Sequence, residues 1–423
     1  MLEKLRQIWQ AKDLRKDIFF VLAMLAVFWI AAHIPIPGID VHNLRDFFAQ
    51  NQIFGLLNIF SGGGLENFSV VMLGVGPYIT ASIIFQLLAM IIPSLEALAK
   101  ESQGQQIINR YTRYLTVPLA ALQGYGYITL LQRQTGQLVG SLTPFQWFSS
   151  IITVTAGTIF LMWLGELITE KKIGNGISLL IFAGIVAGMP GAVQRTLAVF
   201  DSSRLFNLLI FIAIAIVTIV AVVIITEGQR NIPVNYAKRI RGNRMYGGVN
   251  THLPLRVNMA GVIPIIFAIS LILFPPMIAQ FFLGATTGFI ASVAKFVINL
   301  FQNQIFYGVA YFVLVFAFTY FYTYVVFHPH QIAENLQKQG GFVPGIRPGR
   351  HTAEYLQGTV NKVLLAGALF LGLIAILPII MQPITGMRTL VIGGTSLLIV
   401  VAVVIETVKQ IDAQLTMRDY DGL

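Results

Sequence analysis

Long apolar runs that carry no charge recur along this chain, and they constrain it more than any other feature. Phe19 to His33 and Leu205 to Ile225 contain no Asp, Glu, Lys or Arg. About 20 such residues suffice to cross ~30 Å of hydrocarbon as a helix. The runs predict about ten transmembrane helices: Ile18–Ile34, Met72–Ile92, Tyr114–Leu131, Phe148–Ile168, Ile177–Gln194, Leu205–Thr226, Asn258–Phe282, Ile305–Phe327, Val363–Met381 and Leu390–Ile405. Only 11% of residues are charged, against roughly 25% in a soluble domain. Lipid is therefore the expected solvent, and the expected class is an all-α membrane protein.

The first run follows Lys4, Arg6, Lys12, Arg15 and Lys16, as in a signal peptide, but no small-residue cleavage site follows it. It reads as a retained first helix. Lys and Arg divide unequally between alternate loops, about 22 on one side with both termini and about 6 on the other, which predicts cytoplasmic termini. The net charge of +10 is thus mainly a topology signal. Five helices precede the loop around Thr196–Arg204 and five follow it. The chain divides into an N-terminal half (1–195), a C-terminal half (205–408) and a cytoplasmic tail (409–423), an arrangement in which the two halves have opposite orientation.

Two long cytoplasmic loops stand out, 227–257 and 328–361. In the first, Ile232-Pro-Val-Asn-Tyr and His252-Leu-Pro-Leu-Arg flank a tip holding Gly242, Asn243, Gly247 and Gly248. That pattern predicts a hairpin-like arm with a basic tip, although a solvated topogenic loop accounts for it equally well.

Ionisable groups at mid-membrane mark ion paths and proton relays. None of the predicted spans has one near its centre: Glu166 sits near a helix end, and Glu406, Lys409 and Asp412 lie at or beyond the last span. His328 and His330 form a close pair, but no carboxylate or cysteine accompanies them at ligand spacing, and the chain has no cysteine at all. No Ser, His and acid constellation falls at membrane depth, and no phosphate-binding loop occurs. An ion-coupled carrier and an intramembrane enzyme are both disfavoured, and no cofactor is expected. A passive conduit driven by a partner fits best, with a small-solute transporter as the competing class.

Some segments do not read as ordinary spans. Leu56 to Val70 is apolar, too short to cross, and broken by Gly62, Gly63 and Gly64. Such backbone must sit in protein or line a water-filled cavity, although an amphipathic surface loop is an equal alternative. Gly74, Gly76 and Pro77 weaken the start of the second span; Pro264, Pro275 and Pro276 loosen the seventh.

Five motifs in order carry a family resemblance. They are Ser69 to Leu88; Ile168-Thr-Glu-Lys-Lys-Ile-Gly-Asn-Gly-Ile-Ser178 with Phe182 to Gly188; Ile232 to Lys238 with His252 to Pro264; Gly341-Phe-Val-Pro-Gly-Ile-Arg-Pro-Gly349; and Gly393 to Ile399. Together they resemble the SecY family over nearly the whole chain. The resemblance implies an hourglass channel of two pseudo-symmetric five-helix halves in the bacterial cytoplasmic membrane, which translocates unfolded polypeptides and inserts membrane proteins. Its implied partners are the SecE and SecG subunits, the SecA motor, the ribosome, polypeptides bearing signal sequences, and membrane lipid.

Carried over by motif position, the waist of the channel falls on Val75, Ile79, Ile181, Ile185, Ile266 and Ile399. A spacing of four within the first two pairs puts each pair on one helix face, and a narrow apolar collar excludes ions by dewetting. The resemblance places a movable plug at about 57–69, including Leu57, Phe60, Gly62, Gly63, Gly64 and Phe68. It places a lateral gate between the second and seventh helices, with Thr80, Gln123 and Asn258 as its polar cluster. Docking of motor and ribosome is implied at Arg239, Arg241 and Arg244 in the first arm and at Arg347 and Arg350 in the second.

Overall fold

The ten apolar runs fold as helices, joined by shorter helices and a small sheet. The computed structural model describes residues 7–36, 61–135, 143–198, 205–236, 239–241, 244–246, 250–283, 288–385 and 393–421. The helices of the first half are α1 (Lys12–Ala32), α2 (Gly76–Ile91), α3 (Pro93–Lys100), α4 (Ser102–Thr135), α5 (Pro144–Glu170) and α6 (Gly176–Ala198). The second half starts with α7 (Leu205–Glu227). Next come strands β1 (Gln229–Tyr236), β2 (Arg239–Arg241), β3 (Arg244–Tyr246) and β4 (Asn250–Arg256). The chain ends with α8 (Ile263–Phe282), α9 (Gly288–Gln302), α10 (Gln304–Val326), α11 (Pro329–Lys338), β5 (Gly341–Phe342), α12 (Arg350–Thr385) and α13 (Gly393–Asp421). The ten expected spans correspond to α1, α2, α4, α5, α6, α7, α8, α10, α12 and α13.

Several helix ends differ from expectation for visible reasons. Helix α2 begins at Gly76, because Gly74 takes a positive φ of 57° and Pro77 sits in the first turn, where it costs no hydrogen bond. Helix α8 begins at Ile263 rather than Asn258, after Gly261 turns at φ 62°. The chain bends by 113° between α2 and α3, at the Ile92–Pro93 junction. The tail expected from residue 409 is a continuation of α13 to Asp421.

Helix apolarity tracks position in the bundle. Helices α5 and α7 and the long apolar stretches of α10 and α12 are extensive enough to cross hydrocarbon unaided. Helix α7 turns Leu209, Ile212, Ile216, Val217, Val220 and Ile224 outward. By contrast α8, whose apolar stretch is only Ile263–Pro276, buries every residue from Ile265 to Ile269. A helix enclosed by neighbours does not need a full lipid-length apolar run, because protein satisfies its backbone and polar groups.

The two halves meet along two seams. On one, α8 packs against α2 and α4; on the other, α13 packs against α6. Gln414 at the end of α13 also donates a 2.8 Å hydrogen bond to the Lys172 carbonyl in the α5–α6 loop. The principal apolar core spans both halves, running from Val21 and Phe28 of α1 to Leu398 and Val403 of α13.

The first arm is a hairpin, as its sequence predicts. Strands β1 and β4 pair antiparallel with Ile232 opposite Leu253, and β2 pairs with β3 beyond them. Strand β5 pairs with the other edge of β1, through Asn235 and Phe342, which ties the second arm to the first. Ile232, Leu255, Val343, Leu356 and Val360 form a small core beneath both arms.

Candidate functional site

Four separate helices supply the six aliphatic residues expected at the waist. Val75 caps the start of α2 and Ile79 follows one turn later; Ile181 and Ile185 lie one turn apart on α6. Ile266 comes from α8 and Ile399 from α13. All six are buried in the principal core, with Ile399 fully enclosed. Val75, Ile79, Ile181 and Ile266 also line one open cavity of about 730 Å³, mouth included. Ile185 and Ile399 belong to the same cluster but are not part of the cavity wall.

The cavity has further lining that the sequence reading missed. Ile269 and Leu273 of α8 contribute, as do Leu73 and Tyr127. Ile269 and Leu273 sit three and seven positions beyond Ile266, so the helical period already marked them as its face-mates.

Residues 61–75 close part of this cavity, with Ser61 and Leu65 on its wall. Leu57 and Phe60 lie outside the described residues. From Ser61 onward the segment is a chain of tight turns rather than a regular helix, held by Gly64 N–H to the Ser61 carbonyl (3.2 Å) and Ser69 N–H to the Gly64 carbonyl (2.8 Å). Gly62 and Gly63 have φ of 67° and 81°, where a side chain would be strained. At Gly62 a Cβ would also meet the Phe28 ring at 2.7 Å and the Gly184 Cα at 3.2 Å. Only glycine lets the segment lie this close to α1 and α6.

The far end of the segment is anchored to the bundle. Ile36 N–H donates to the Phe68 carbonyl (2.9 Å) and Val70 N–H to the Ile34 carbonyl (3.1 Å), a short bridge to the end of α1. Phe68 is fully buried among Met72, Ile128, Leu131 and Val154, which stabilises the anchor by about 2 kcal/mol. It does so at a φ of 44°, a conformation that costs a bulky side chain of order 1–3 kcal/mol. Backbone strain at Phe68 therefore offsets part of that burial.

The three polar residues expected at the lateral seam divide. Thr80 and Gln123 both line the cavity, whereas Asn258 lies outside its wall. Thr80 donates to the Gly76 carbonyl at 3.1 Å and Asn258 to the Gly261 carbonyl at 3.2 Å, both local backbone contacts. The Asn258 Oδ1 is buried without a partner, and no hydrogen bond joins the three residues among those described. Helix α8, which Asn258 precedes, packs on both α2 and α4.

The arms carry the expected arginines in distinct settings. Arg239 and Arg241 lie on β2 and Arg244 on β3, with Arg241 in register opposite Arg244. Arg347 is exposed in the loop between β5 and α12, flanked by turns at Gly345 (φ 80°) and Gly349 (φ 94°). Its backbone is held by the Thr352 hydroxyl, which donates to its carbonyl at 2.9 Å, while neighbouring Ile346 packs on the small core. Arg350 instead pairs with Glu354 one turn along α12, at 2.9 Å. On α11, Lys338 hydrogen-bonds Glu334 and holds that exposed carboxyl below its usual pKa.

Comparison with known proteins agrees with this architecture. The family model SecY matches residues 69–408. The protein translocase subunit SecY of Streptomyces galbus is 44% identical, with 100% of this chain and 99% of the relative covered. That of Thermus thermophilus is 41% identical, covering 99% and 97%. Among solved structures, one described as a protein conducting channel aligns with a TM-score of 0.63 at 18% identity, covering 93% of this chain and 90% of the other. A SecY structure whose plug domain is described as stabilising the closed state and maintaining a membrane seal aligns with a TM-score of 0.60 at 17% identity, with the same coverage. Sec61 in the canine ribosome–channel complex gives 0.62 at 17%, again with the same coverage. With its full-length relatives, its matched core and its shared fold, this chain belongs to the SecY family.

Proposed function

We propose that this chain is the protein-conducting channel of a bacterial translocase, passing unfolded polypeptide through the aliphatic collar of Val75, Ile79, Ile181, Ile185, Ile266 and Ile399. The observation that carries the reading is that Val75 and Ile79, Ile181 and Ile266, from α2, α6 and α8, line one cavity that Ser61 and Leu65 also wall, with Ile185 and Ile399 buried in the same apolar core. Aliphatic side chains in a narrow throat exclude water and ions, and they can part around a chain without breaking any hydrogen bond. Residues of about 57–69 act as the plug, of which the turns from Ser61 to Ser69 are the described part. Backbone strain at Phe68 offsets part of the burial that anchors it, which lowers the cost of displacing the segment. A solved relative of the same fold is described as having a plug with this role.

The α2–α8 seam acts as the lateral gate, through which apolar segments leave for lipid. Thr80, Gln123 and Asn258 are its polar groups, and the unpartnered Asn258 Oδ1 is a group that opening could satisfy. Both termini and both arms face the cytoplasm, in accord with the distribution of Lys and Arg. SecE and SecG complete the membrane complex, and SecA or the ribosome supplies the driving force. A photo-reactive residue in place of Ile181 should crosslink to a stalled, hydrophilic stretch of translocating preprotein. Adducts confined to lipid or to other helices would remove the collar from the path.

Arg347 is the leading docking residue. It is exposed on a loop fixed by two glycine turns and has no carboxylate partner among the described residues, and guanidinium suits both carboxylates and RNA phosphates. Arg239, Arg241 and Arg244 lie on the β2–β3 pair of the first arm, and arginine is the residue type suited to an anionic partner there. Arg347→Glu is expected to depress motor- or ribosome-driven transport by an order of magnitude, while the protein still inserts and binds SecE. Each lost charge-assisted contact is worth ~1.5–3 kcal/mol, which sets that scale. Wild-type transport rates in this variant would exclude the docking role.

A further inference from the structure

Helix α9 was not expected from the sequence and has no part in the collar, the plug or the arms. It joins α8 to α10 at the end of those helices remote from the β1–β4 arm, and it packs on both of them. Its fifteen residues are too few to span a bilayer. At 100° per residue they sort into three faces. Ala294, the buried residue, and partly buried Ile298 and Phe301 turn toward the bundle. Ser292, Lys295, Asn299 and Gln302 form a polar strip. Between these faces runs a third, apolar and uncovered: Phe289 at 80% exposure, Val293 at 46% and Phe296 at 64%.

From this geometry we infer that α9 lies flat in the bilayer interface opposite the basic arms, with Phe289, Val293 and Phe296 seated among the acyl chains of that leaflet. Two observations identify phospholipid as the occupant. The ridge is followed directly in the chain by an exposed apolar stripe on α10, where Ile305, Val309 and Val313 are all uncovered just beyond the Asn303 cap. The polar strip lies beside the ridge and carries a single cation, exposed Lys295, placed to reach phosphate while its neighbours remain in water. An apolar face buried ~5–10 Å at the headgroup boundary beside a polar strip is the pattern of an interfacial helix. Because α9 links α8 of the gate to α10, its seating ties the outer end of the gate to the leaflet. This part of the inference rests on the gate reading above.

The chain has no cysteine, so single labels can be placed without altering the background. Phe296→Cys, Asn299→Cys and Val309→Cys are labelled with an environment-sensitive fluorophore in the full complex and reconstituted into phosphatidylglycerol–phosphatidylethanolamine vesicles. Spin-labelled lipids should quench the Phe296 position several-fold more strongly than Asn299, most with the label high on the acyl chain. Iodide should show the reverse order. Val309 should be quenched best by a label deep in the chain, which tests the membrane placement of α10 independently. Strong iodide quenching at Phe296 would put the ridge in water, and protection from both quenchers would put it under protein. Either result, with Val309 quenched by lipid, overturns the inference while leaving the channel intact. No lipid quenching at Val309 would overturn the membrane placement itself.

Discussion

Ile181→Asn is expected to raise the resting ion conductance of the purified complex roughly tenfold in planar bilayers. The residue is almost fully buried, and it lines the cavity together with Val75, Ile79 and Ile266. A closed apolar throat resists current because hydrating it is unfavourable. One amide there retains water and lowers that barrier by about 1.4 kcal/mol, within the usual range for a partly compensated polar group and equal to a factor of about ten. Ile181→Val keeps the surface apolar and should leave conductance near the wild-type level, which separates polarity from volume. If Ile181→Asn leaks no more than Ile181→Val, the ion seal is not at this collar.

Gly157→Val is expected to lower stability by ~1–3 kcal/mol or more, the cost of overpacking where backbone must move. A Cβ at Gly157 would collide with the Val70 carbonyl oxygen and lie 2.8 Å from its carbon, and neither atom belongs to a flexible side chain. Val70 also bonds the end of α1 and continues the turns that wall the cavity. Pushing α5 away should therefore loosen residues 61–75 as well as the bundle. Thermal unfolding in detergent should shift down, and resting conductance should rise in the molecules that remain folded. Gly188→Val on α6 is the control, because nothing lies within 4 Å of its Cβ position. Equal unfolding temperatures for the two variants would mean that α5 does not approach the segment so closely.

Much of the bundle is legible from residue order, because lipid imposes a one-dimensional rule. A run such as Leu205–Ile225 can only be a lipid-exposed helix, and α7 is the most outward-facing of the set. Rules that act locally were also readable: the hairpin of β1 and β4 follows from its extended flanks and glycine-rich tip, and Pro77 marks a helix start. Less legible were places where a helix is enclosed by others. There the apolar run shortens, as in α8, and its first residues turn instead of coiling. The second span ends where Ile92 was expected to end it, but the short helices α3 and α9 were missed, because a search for runs long enough to cross hydrocarbon passes over helices of 8 and 15 residues.

The site shows the same division. Sequence placed Val75 with Ile79 and Ile181 with Ile185 on single faces, since spacing along one helix is a local property. It also confined ionisable groups to helix ends and loops, which sets the chemistry a throat made from these spans can have. It did not bring α2, α6, α8 and α13 together, nor link Gly157 to Val70 or Gly62 to Phe28. Those approaches join residues far apart in the chain, and they depend on how rigid helices pack in three dimensions, which no local pattern of residues encodes.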